Sequence, residues 1–175
     1  MTRKLYCGSA CVKYILEHVL HHNFKVKYNI VWATELAICF KENGINNLQV
    51  YCFNSKLYND FFNKKIDLNF EGFKYLKKLL ENNINIKEKK ITSKSFLKEI
   101  DSCKYIILCV ESKIFNSIDS MIGGHYIIIN GRNGSNITVI NPVKEVYEIR
   151  YLNIDFLIKA CKNYGAWRIL IKGEK

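Results

Sequence analysis

The sequence has few of the features that divide a chain into separate units. It contains one proline, Pro142, and no stretch rich in glycine and serine, so no internal linker is indicated. A chain of 175 residues is long enough to bury a sizeable core of its own. We therefore expect residues 1–175 to form a single domain.

Long apolar segments are also missing. No run approaches the roughly 20 apolar residues that span a bilayer, and no apolar signal segment precedes Cys7. The seven cysteines are odd in number and irregularly spaced, which is not the pattern of a disulfide framework. We therefore expect a reduced, cytoplasmic protein without a membrane partner.

Acidic residues are scarce relative to basic ones. The chain has 27 Lys and Arg against 16 Asp and Glu, a formal charge of +11, which favours acidic partners through long-range attraction. The basic residues are spread along the chain, and no recognition helix, RNP pattern, zinc signature or phosphate-binding glycine loop is present. We expect no nucleic-acid partner, which leaves an acidic protein partner or a solvated basic surface.

Hydrophobic periodicity predicts an α+β fold in which helices come first and an antiparallel sheet follows. Helical spacing of apolar residues indicates helices at 8–22, 33–43, 71–82, 92–100 and 154–163. Apolar runs and alternating patterns indicate strands at 48–53, 84–91, 105–110, 124–130, 136–140 and 166–172. Residues 54–70 and 112–122 are expected to be loops, the first long enough to have a function or to hide a short element.

Cys7 lies where an extended segment meets the first predicted helix. The first N–H groups of a helix have no internal partner and carry partial positive charge, so they favour a thiolate over a thiol. Gly8 leaves room for a substrate beside the sulfur, and the backbone N–H groups of Cys7 and Gly8 are candidate donors to an oxyanion. The alternative is a buried structural thiol, which is the role we expect for Cys11 one turn later.

His125, in the predicted strand 124–130, is a candidate base for this thiol. If this strand and residues 136–141 form a hairpin through the turn at 131–135, Asn141 lies beside the imidazole. A Cys–His pair needs such a third group to orient the ring. We expect Pro142 to end the strand ladder and to leave the Asn141 side chain exposed at the strand end.

Three motifs, in this order, resemble the C39-like cysteine peptidases of the papain-like superfamily: Cys7-Gly8-Ser9-Ala10-Cys11, Gly124-His125-Tyr126-Ile127-Ile128 and Ile140-Asn141-Pro142. Residues 32–37 are further similar to a subgroup labelled guanylylate cyclase. The resemblance implies a papain-like fold, with an N-terminal helical part whose catalytic cysteine begins a helix packed on an antiparallel sheet. It also implies that Cys7 is the nucleophile, His125 the base and acid, and Asn141 the orienting group.

The sequence departs from this family at the oxyanion hole. The family usually has a glutamine shortly before the nucleophile, and that position here is Met1. The nearest glutamine, Gln49, belongs to no motif. Loss of an oxyanion donor costs about 10²–10³ in rate, so an enzyme for activated acyl groups would tolerate the loss better than a peptidase.

A second resemblance, which is narrower, is to the papain-like amide synthases of polythioamide (closthioamide) biosynthesis. It implies that Cys7 attacks a thioester bound to a carrier protein and that the acyl chain is then transferred to an amine acceptor. Carrier proteins are generally acidic, which suits a basic surface. The alternatives are a peptidase that cleaves a leader or a small peptide, and an inactive papain-like module that binds an acidic partner.

The remaining candidate residues have two interpretations each. Trp32 and Gly124 are candidate substrate-binding residues, although Trp32 also suits core packing. His18, His21 and His22 have a spacing that can contribute to a metal site, but no nearby carboxylate or cysteine pair completes one. We therefore expect these histidines to lie at an exposed helix end, and we expect neither a metal nor a cofactor.

Overall fold

The computed structural model describes residues 6–21, 33–52, 81, 83–84, 86–115, 124–143, 146–162 and 166–173. The helices in these ranges are α1 (Cys7–Leu20), α2 (Ala33–Glu42), α3 (Ser93–Ser102) and α4 (Ile154–Lys162). The strands are β1 (Leu48–Cys52), β2 (Ile86–Glu88), β3 (Tyr105–Glu111), β4 (Gly124–Asn133), β5 (Asn136–Val143), β6 (Val146–Asn153) and β7 (Arg168–Ile171). A single 3-10 turn, Ser112–Phe115, follows β3. None of the helices in these ranges is long and apolar enough to cross a membrane.

The strands join in one sheet, in the order β2-β1-β7-β3-β4-β5-β6. Every neighbouring pair is antiparallel except β1 and β2, which run parallel. The expectation of an antiparallel sheet is therefore wrong at this edge. A parallel pair needs a long connection, and residues 53–85 between the two strands are numerous enough to supply it.

Helices cover both faces of the sheet. Strand alternation sends one set of apolar side chains, including Ile107 and Ile128, into a core shared with α1 and α2. The alternate residues, Leu108 and Ile127 among them, pack with buried side chains of α3 and α4. The chain is therefore a mixed α/β structure in which a seven-stranded sheet lies between two helical layers.

Helix α1 is held over the β4–β5 part of the first face. Its fully buried side chains recur at helical spacing: Cys11, Val12, Ile15 and Leu16. The Tyr147 hydroxyl of β6 donates to the carbonyl oxygen of Ala10 at 3.4 Å. The first turn of α1, which contains Cys7, is thereby fixed near the strands that carry the other candidate residues.

Two local features follow signals in the sequence. Gly131 and Gly134 have φ of +108° and +61°, a region that glycine enters without steric cost. Gly134 lies in the β4–β5 turn, but Gly131 lies within β4 at an irregularity of its pairing, because the strand extends to Asn133 and not only to the predicted 130. Helix α3 begins after Thr92, whose Oγ1 accepts from the Ser95 N–H at 3.2 Å while the Thr92 N–H donates to Ser95 Oγ at 3.0 Å. This reciprocal capping satisfies two N–H groups at the helix start.

The strand β6 is a finding that the sequence prediction missed. Residues 143–153 carry no predicted element, yet β6 pairs with β5 along its whole length. Its side chains alternate between apolar and polar types, but Ile149 and Tyr151 are 61% and 70% exposed. β6 is therefore an edge strand whose apolar residues Ile149 and Tyr151 are not part of the buried core.

Other predicted elements differ in extent. The strand predicted at 84–91 shortens to Ile86–Glu88, and the start of the loop predicted at 112–122 is the 3-10 turn. Glu81 is the one described residue of the helix predicted at 71–82, and it is helical. The loop predicted at 54–70 lies outside the described residues.

A buried ion pair connects β7 to α3 on the second face. Arg168 is fully buried, and its Nε and Nη2 donate to the Glu99 carboxylate at 2.7 and 3.0 Å. Lys89 Nζ lies 2.8 Å from the same carboxylate, and the carbonyl oxygen of Ala166 accepts from Arg168 Nη1 at 3.1 Å. Each charge thus has partners, as a buried ionised group requires.

Candidate active site

Cys7 is the first residue of α1. The preceding residue, Tyr6, is extended (φ −66°, ψ 156°) and its side chain does not cap the helix. The N–H of Ala10 is the first to bond back, to the Tyr6 carbonyl oxygen at 2.9 Å. The sulfur therefore lies in the partial positive field of uncapped N–H groups, as the sequence predicts.

The thiol of Cys7 and the imidazole of His125 lie close enough to change each other's pKa. His125 is the second residue of β4, opposite Val110 of β3, so the pair meets at one end of the sheet. Nε2 of His125 lies 2.6 Å from Oδ1 of Asn141. The nitrogen that faces the thiol is therefore Nδ1.

The two titrating groups change each other's pKa. Burial raises the pKa of the Cys7 thiol, but the His125 hydrogen bond and charge, with the N–H groups of Tyr126 and Gly8, bring this pKa below its ordinary value. Burial lowers the pKa of His125, but Cys7 and then Asn141 bring it above its ordinary value. Both changes favour a thiolate–imidazolium pair, which is the reactive form of such a site.

The other cysteines differ from Cys7 in this respect. Burial raises the pKa of Cys39 and Cys161 to about 11 and that of Cys109 to about 12. It also raises the pKa of Cys11 and Cys103. The structural role predicted for Cys11 agrees with its full burial in the core beneath α1.

Asn141 lies beside His125, as predicted, but it is not exposed. Its side chain is 1% accessible, and β5 continues past it, paired with β6 as far as Val143. The pairing of β5 with β4 does stop at Ile140, before Pro142, which has no N–H to donate. The prediction that Pro142 ends the ladder therefore holds toward β4 and is wrong toward β6.

A chain of side chains that the sequence prediction missed continues from Asn141. The Asn141 Nδ2 group donates to Glu148 Oε2 at 3.3 Å, and Glu148 Oε1 accepts from Arg150 Nε at 2.8 Å. Arg150 lies over the ring of Phe115 at 5.3 Å, and this ring meets His125 edge-on at 5.6 Å. Glu148 and Arg150 come from β6, so recognising that strand in the sequence was the step needed to find them.

Of the expected oxyanion donors, the backbone N–H groups of Cys7 and Gly8 lie at the start of α1, but no glutamine side chain lies beside them. The Gly8 N–H contributes to the lowered pKa of Cys7, and the Cys7 N–H belongs to the first turn of α1, which the Tyr6 side chain does not cap. Gln49, the one glutamine of the chain, lies in β1, separated from β4 by β7 and β3, and its Nε2 donates to the Val50 carbonyl oxygen at 3.0 Å. It is therefore no donor for this site.

Of the two predicted substrate-binding residues, Gly124 is among the described residues and Trp32 is not. Gly124 is exposed at the start of β4, next to His125 and opposite Glu111 of β3. Trp32 and Met1 lie outside the described residues. A backbone position next to the base is open at Gly124, while the contribution of Trp32 stays a prediction.

The histidines of α1 occupy the end of the helix. His18 stacks on Tyr14 with ring centroids 3.9 Å apart, and its Nδ1 lies 2.7 Å from the Tyr14 carbonyl oxygen. His21 is the exposed C-cap with φ of +54°, and His22 is not among the described residues. Within the part of the chain that the structure describes, no three His, Cys, Asp or Glu side chains are grouped to hold a metal ion.

Comparison of the chain with protein-family models, with curated proteins and with solved structures gives no match. The interpretation of the site therefore depends on its own geometry. That geometry consists of a thiol at a helix start, a histidine that interacts with it, and a buried amide bonded to the histidine.

Proposed function

We propose that this chain is a papain-like cysteine acyltransferase that forms an amide from a carrier-bound thioester and an amine. The observation that carries the proposal is the placement of Cys7 at the start of α1 beside His125, whose Nε2 lies 2.6 Å from Asn141 Oδ1. A thiolate next to an imidazolium, with the ring oriented by a third group, is the arrangement that covalent thiol catalysis needs.

In the first half-reaction, the Cys7 thiolate attacks the carbonyl carbon of the donor thioester. The new Sγ–C bond gives a tetrahedral oxyanion, which the Cys7 and Gly8 backbone N–H groups are suited to stabilise. The intermediate collapses by breaking the donor C–S bond. His125 gives its proton to the leaving carrier thiolate, which departs as a thiol.

In the second half-reaction, an amine attacks the acyl-enzyme. The now neutral His125 accepts the amine proton as the C–N bond forms, and the Sγ–C bond then breaks. Cys7 leaves as a thiolate beside an imidazolium, so the starting state returns. The sum of both steps is thioester plus amine giving amide plus thiol, with no redox change and no cofactor.

Two features favour an activated donor over an ordinary peptide bond. The one glutamine of the chain lies elsewhere in the sheet, so the side-chain oxyanion donor expected from papain-like peptidases has no glutamine to provide it. A donor of this kind is worth about 10²–10³ in rate, which matters more for an unactivated amide than for a thioester. The formal charge of +11 suits an acidic carrier protein.

Intact-mass measurement with an acyl pantetheine thioester tests the proposal. Wild type should gain one acyl group, and the adduct should disappear, with formation of an amide, when propylamine is added. Cys7→Ala should gain nothing. Cys103→Ala, which removes a partly exposed thiol whose pKa is raised, should behave as wild type.

The other outcomes separate the alternatives. If wild type gains no acyl group, the transferase proposal fails. Peptide cleavage that is lost in Cys7→Ala would instead establish the peptidase. If Cys7→Ala and His125→Ala both retain the biological activity, the chain is a binding module that does not use its thiol.

A further inference from the structure

Glu148 follows Asn141 in the series of side chains that begins at Cys7, and none of the three sequence motifs includes it. Its Oε2 accepts from Asn141 Nδ2 at 3.3 Å, on the side of the amide away from His125. We propose that Glu148 is a positioning residue that holds the Asn141 amide in the orientation which His125 requires. The inference rests on the proposed role of Cys7 and His125 as the reacting pair.

The orientation follows from which atoms can donate. An ionised carboxylate only accepts, so Glu148 must face the Nδ2 side of Asn141. Oδ1 is then left for His125, and because a carbonyl oxygen only accepts, Nε2 of His125 must carry a proton. Nδ1 is thereby directed at the Cys7 thiol, where it can take or return a proton. One carboxylate thus determines the proton positions along the whole series.

Glu148 is itself held in place and kept ionised. Arg150 Nε lies 2.8 Å from Glu148 Oε1, and hydrogen bonding to Arg150 lowers the pKa of the Glu148 carboxyl, an effect that the Asn141 amide reinforces. Arg150 in turn lies over the Phe115 ring, which contacts His125. Among the described titratable groups, Cys7 is the one that changes the pKa of His125. Glu111, on the neighbouring strand β3, is opposite Gly124 and is paired with Lys113 at 2.7 Å.

This arrangement explains why position 141 carries an amide. A carboxylate there would have no N–H to donate to Glu148, and two neighbouring carboxylates make each other harder to ionise. If the two groups are exchanged, the carboxylate at 141 still accepts from Nε2 of His125, and the amide at 148 donates to that carboxylate. The double variant should therefore recover what Glu148→Gln loses.

The test is the pH profile of Cys7 alkylation by iodoacetamide, read by peptide mass mapping so that each thiol is followed separately. In wild type, Cys7 should react at pH values where an ordinary thiol is protonated. In Glu148→Gln, the midpoint of the profile should rise by about one pH unit, which makes alkylation about tenfold slower below the midpoint. In Asn141→Asp/Glu148→Gln, the rate should return to within about threefold of wild type.

Glu111→Gln is the matched control, because it removes a carboxylate on the neighbouring strand that has no contact with Asn141. Its profile should equal that of wild type. The proposal is overturned if Glu148→Gln keeps the wild-type profile, or if the double variant reacts no faster at low pH than Glu148→Gln. Because recovery in the double variant is required, a general loss of folding cannot imitate the expected result.

The same series separates this inference from the proposed function. A wild-type Cys7 with the profile of an ordinary thiol would overturn both. A wild-type protein that alkylates at low pH and is acylated by the thioester, but is insensitive to Glu148→Gln, would overturn the positioning role alone. Low-pH alkylation that depends on Glu148, without any acylation, would overturn the acyltransferase and leave the positioning role standing.

Discussion

At the scale of single residues, the pKa of Cys7 is determined by its neighbours and not by exposure. Burial alone would raise the pKa of this thiol, as it does for Cys39 and Cys161. The largest opposing effect is that of His125, through hydrogen bonding and charge. His125 therefore distinguishes Cys7 from these two cysteines, whose pKa is raised.

His125→Ala should move the pH profile of Cys7 alkylation upward. The thiolate is present above the pKa of Cys7, so a lowered pKa gives reactivity that is lost as the pH falls through it. Without His125, burial is opposed only by backbone N–H groups, so the pKa of Cys7 should rise. The alkylation rate at neutral pH should then fall about tenfold for every pH unit by which the midpoint of the profile rises. Iodoacetamide rates across the pH range measure that midpoint.

His18→Ala is the control for this variant, since it removes an exposed histidine from the same helix as Cys7. Its profile should match that of wild type. An unchanged profile in His125→Ala would mean that the thiol does not depend on the imidazole.

The three motif residues could be found from the sequence, because a helix start, a strand and a glycine turn each have local signals. The contact of His125 with Asn141 followed from the hairpin and is confirmed at 2.6 Å. Glu148 and Arg150 could not be found in this way. Their strand, β6, has exposed apolar side chains and was not recognised.

At the scale of elements, α3 carries two acidic residues in opposite environments. Glu99 is buried and bonded to Arg168, whereas Asp101 lies at the surface and accepts from Arg132 Nε and Nη2 at 2.6 and 2.7 Å. The two pairs have similar geometry, so burial is what distinguishes them. An uncompensated charge is costly only where water cannot reach it.

Glu99→Gln should lower the free energy of unfolding by about 3–5 kcal/mol, because it leaves the Arg168 charge buried without a counter-ion. Asp101→Asn, on the same helix, should lower it much less, because water replaces the lost partner. Urea denaturation followed by circular dichroism measures both. Equal losses in the two variants would contradict a specific role for the buried pair.

The ion pair and the parallel β1–β2 edge share one reason for escaping prediction. Each joins residues that are far apart in the sequence: Glu99 bonds to Arg168, and residues 50–52 pair with residues 86–88. In neither case does the local sequence pattern indicate which distant residue is the partner. A helix start such as Thr92 and a turn residue such as Gly134 depend on neighbouring residues, and both were predicted correctly.

At the scale of the whole molecule, the excess of basic residues should affect how fast an acidic partner associates with the protein, and not the reaction at Cys7. A formal charge of +11 creates a long-range field that attracts acidic partners. That field is screened over about 8–10 Å at physiological salt. The reacting groups at Cys7 are in direct contact and are far less affected.

Raising the salt concentration should therefore slow acylation from an acidic carrier protein, by about tenfold or more in kcat/KM between low and high salt. Acylation from a free pantetheine thioester should change little, since this donor lacks the carrier's negative surface. Stopped-flow or quenched assays with both donors check the difference. Equal salt dependence for the two donors would exclude electrostatic recognition of the carrier.

The position of β7 has a consequence for how the protein is made. β7 lies between β1 and β3, although it follows every other described strand in the chain. β1 and β3 therefore lack their shared partner strand until residues 168–171 have been synthesised and have left the ribosome. Synthesis proceeds at roughly 5–20 residues per second. The sheet can close only near the end of synthesis of this segment, and a nascent chain interrupted before Arg168 would carry two unpaired strand edges that invite aggregation.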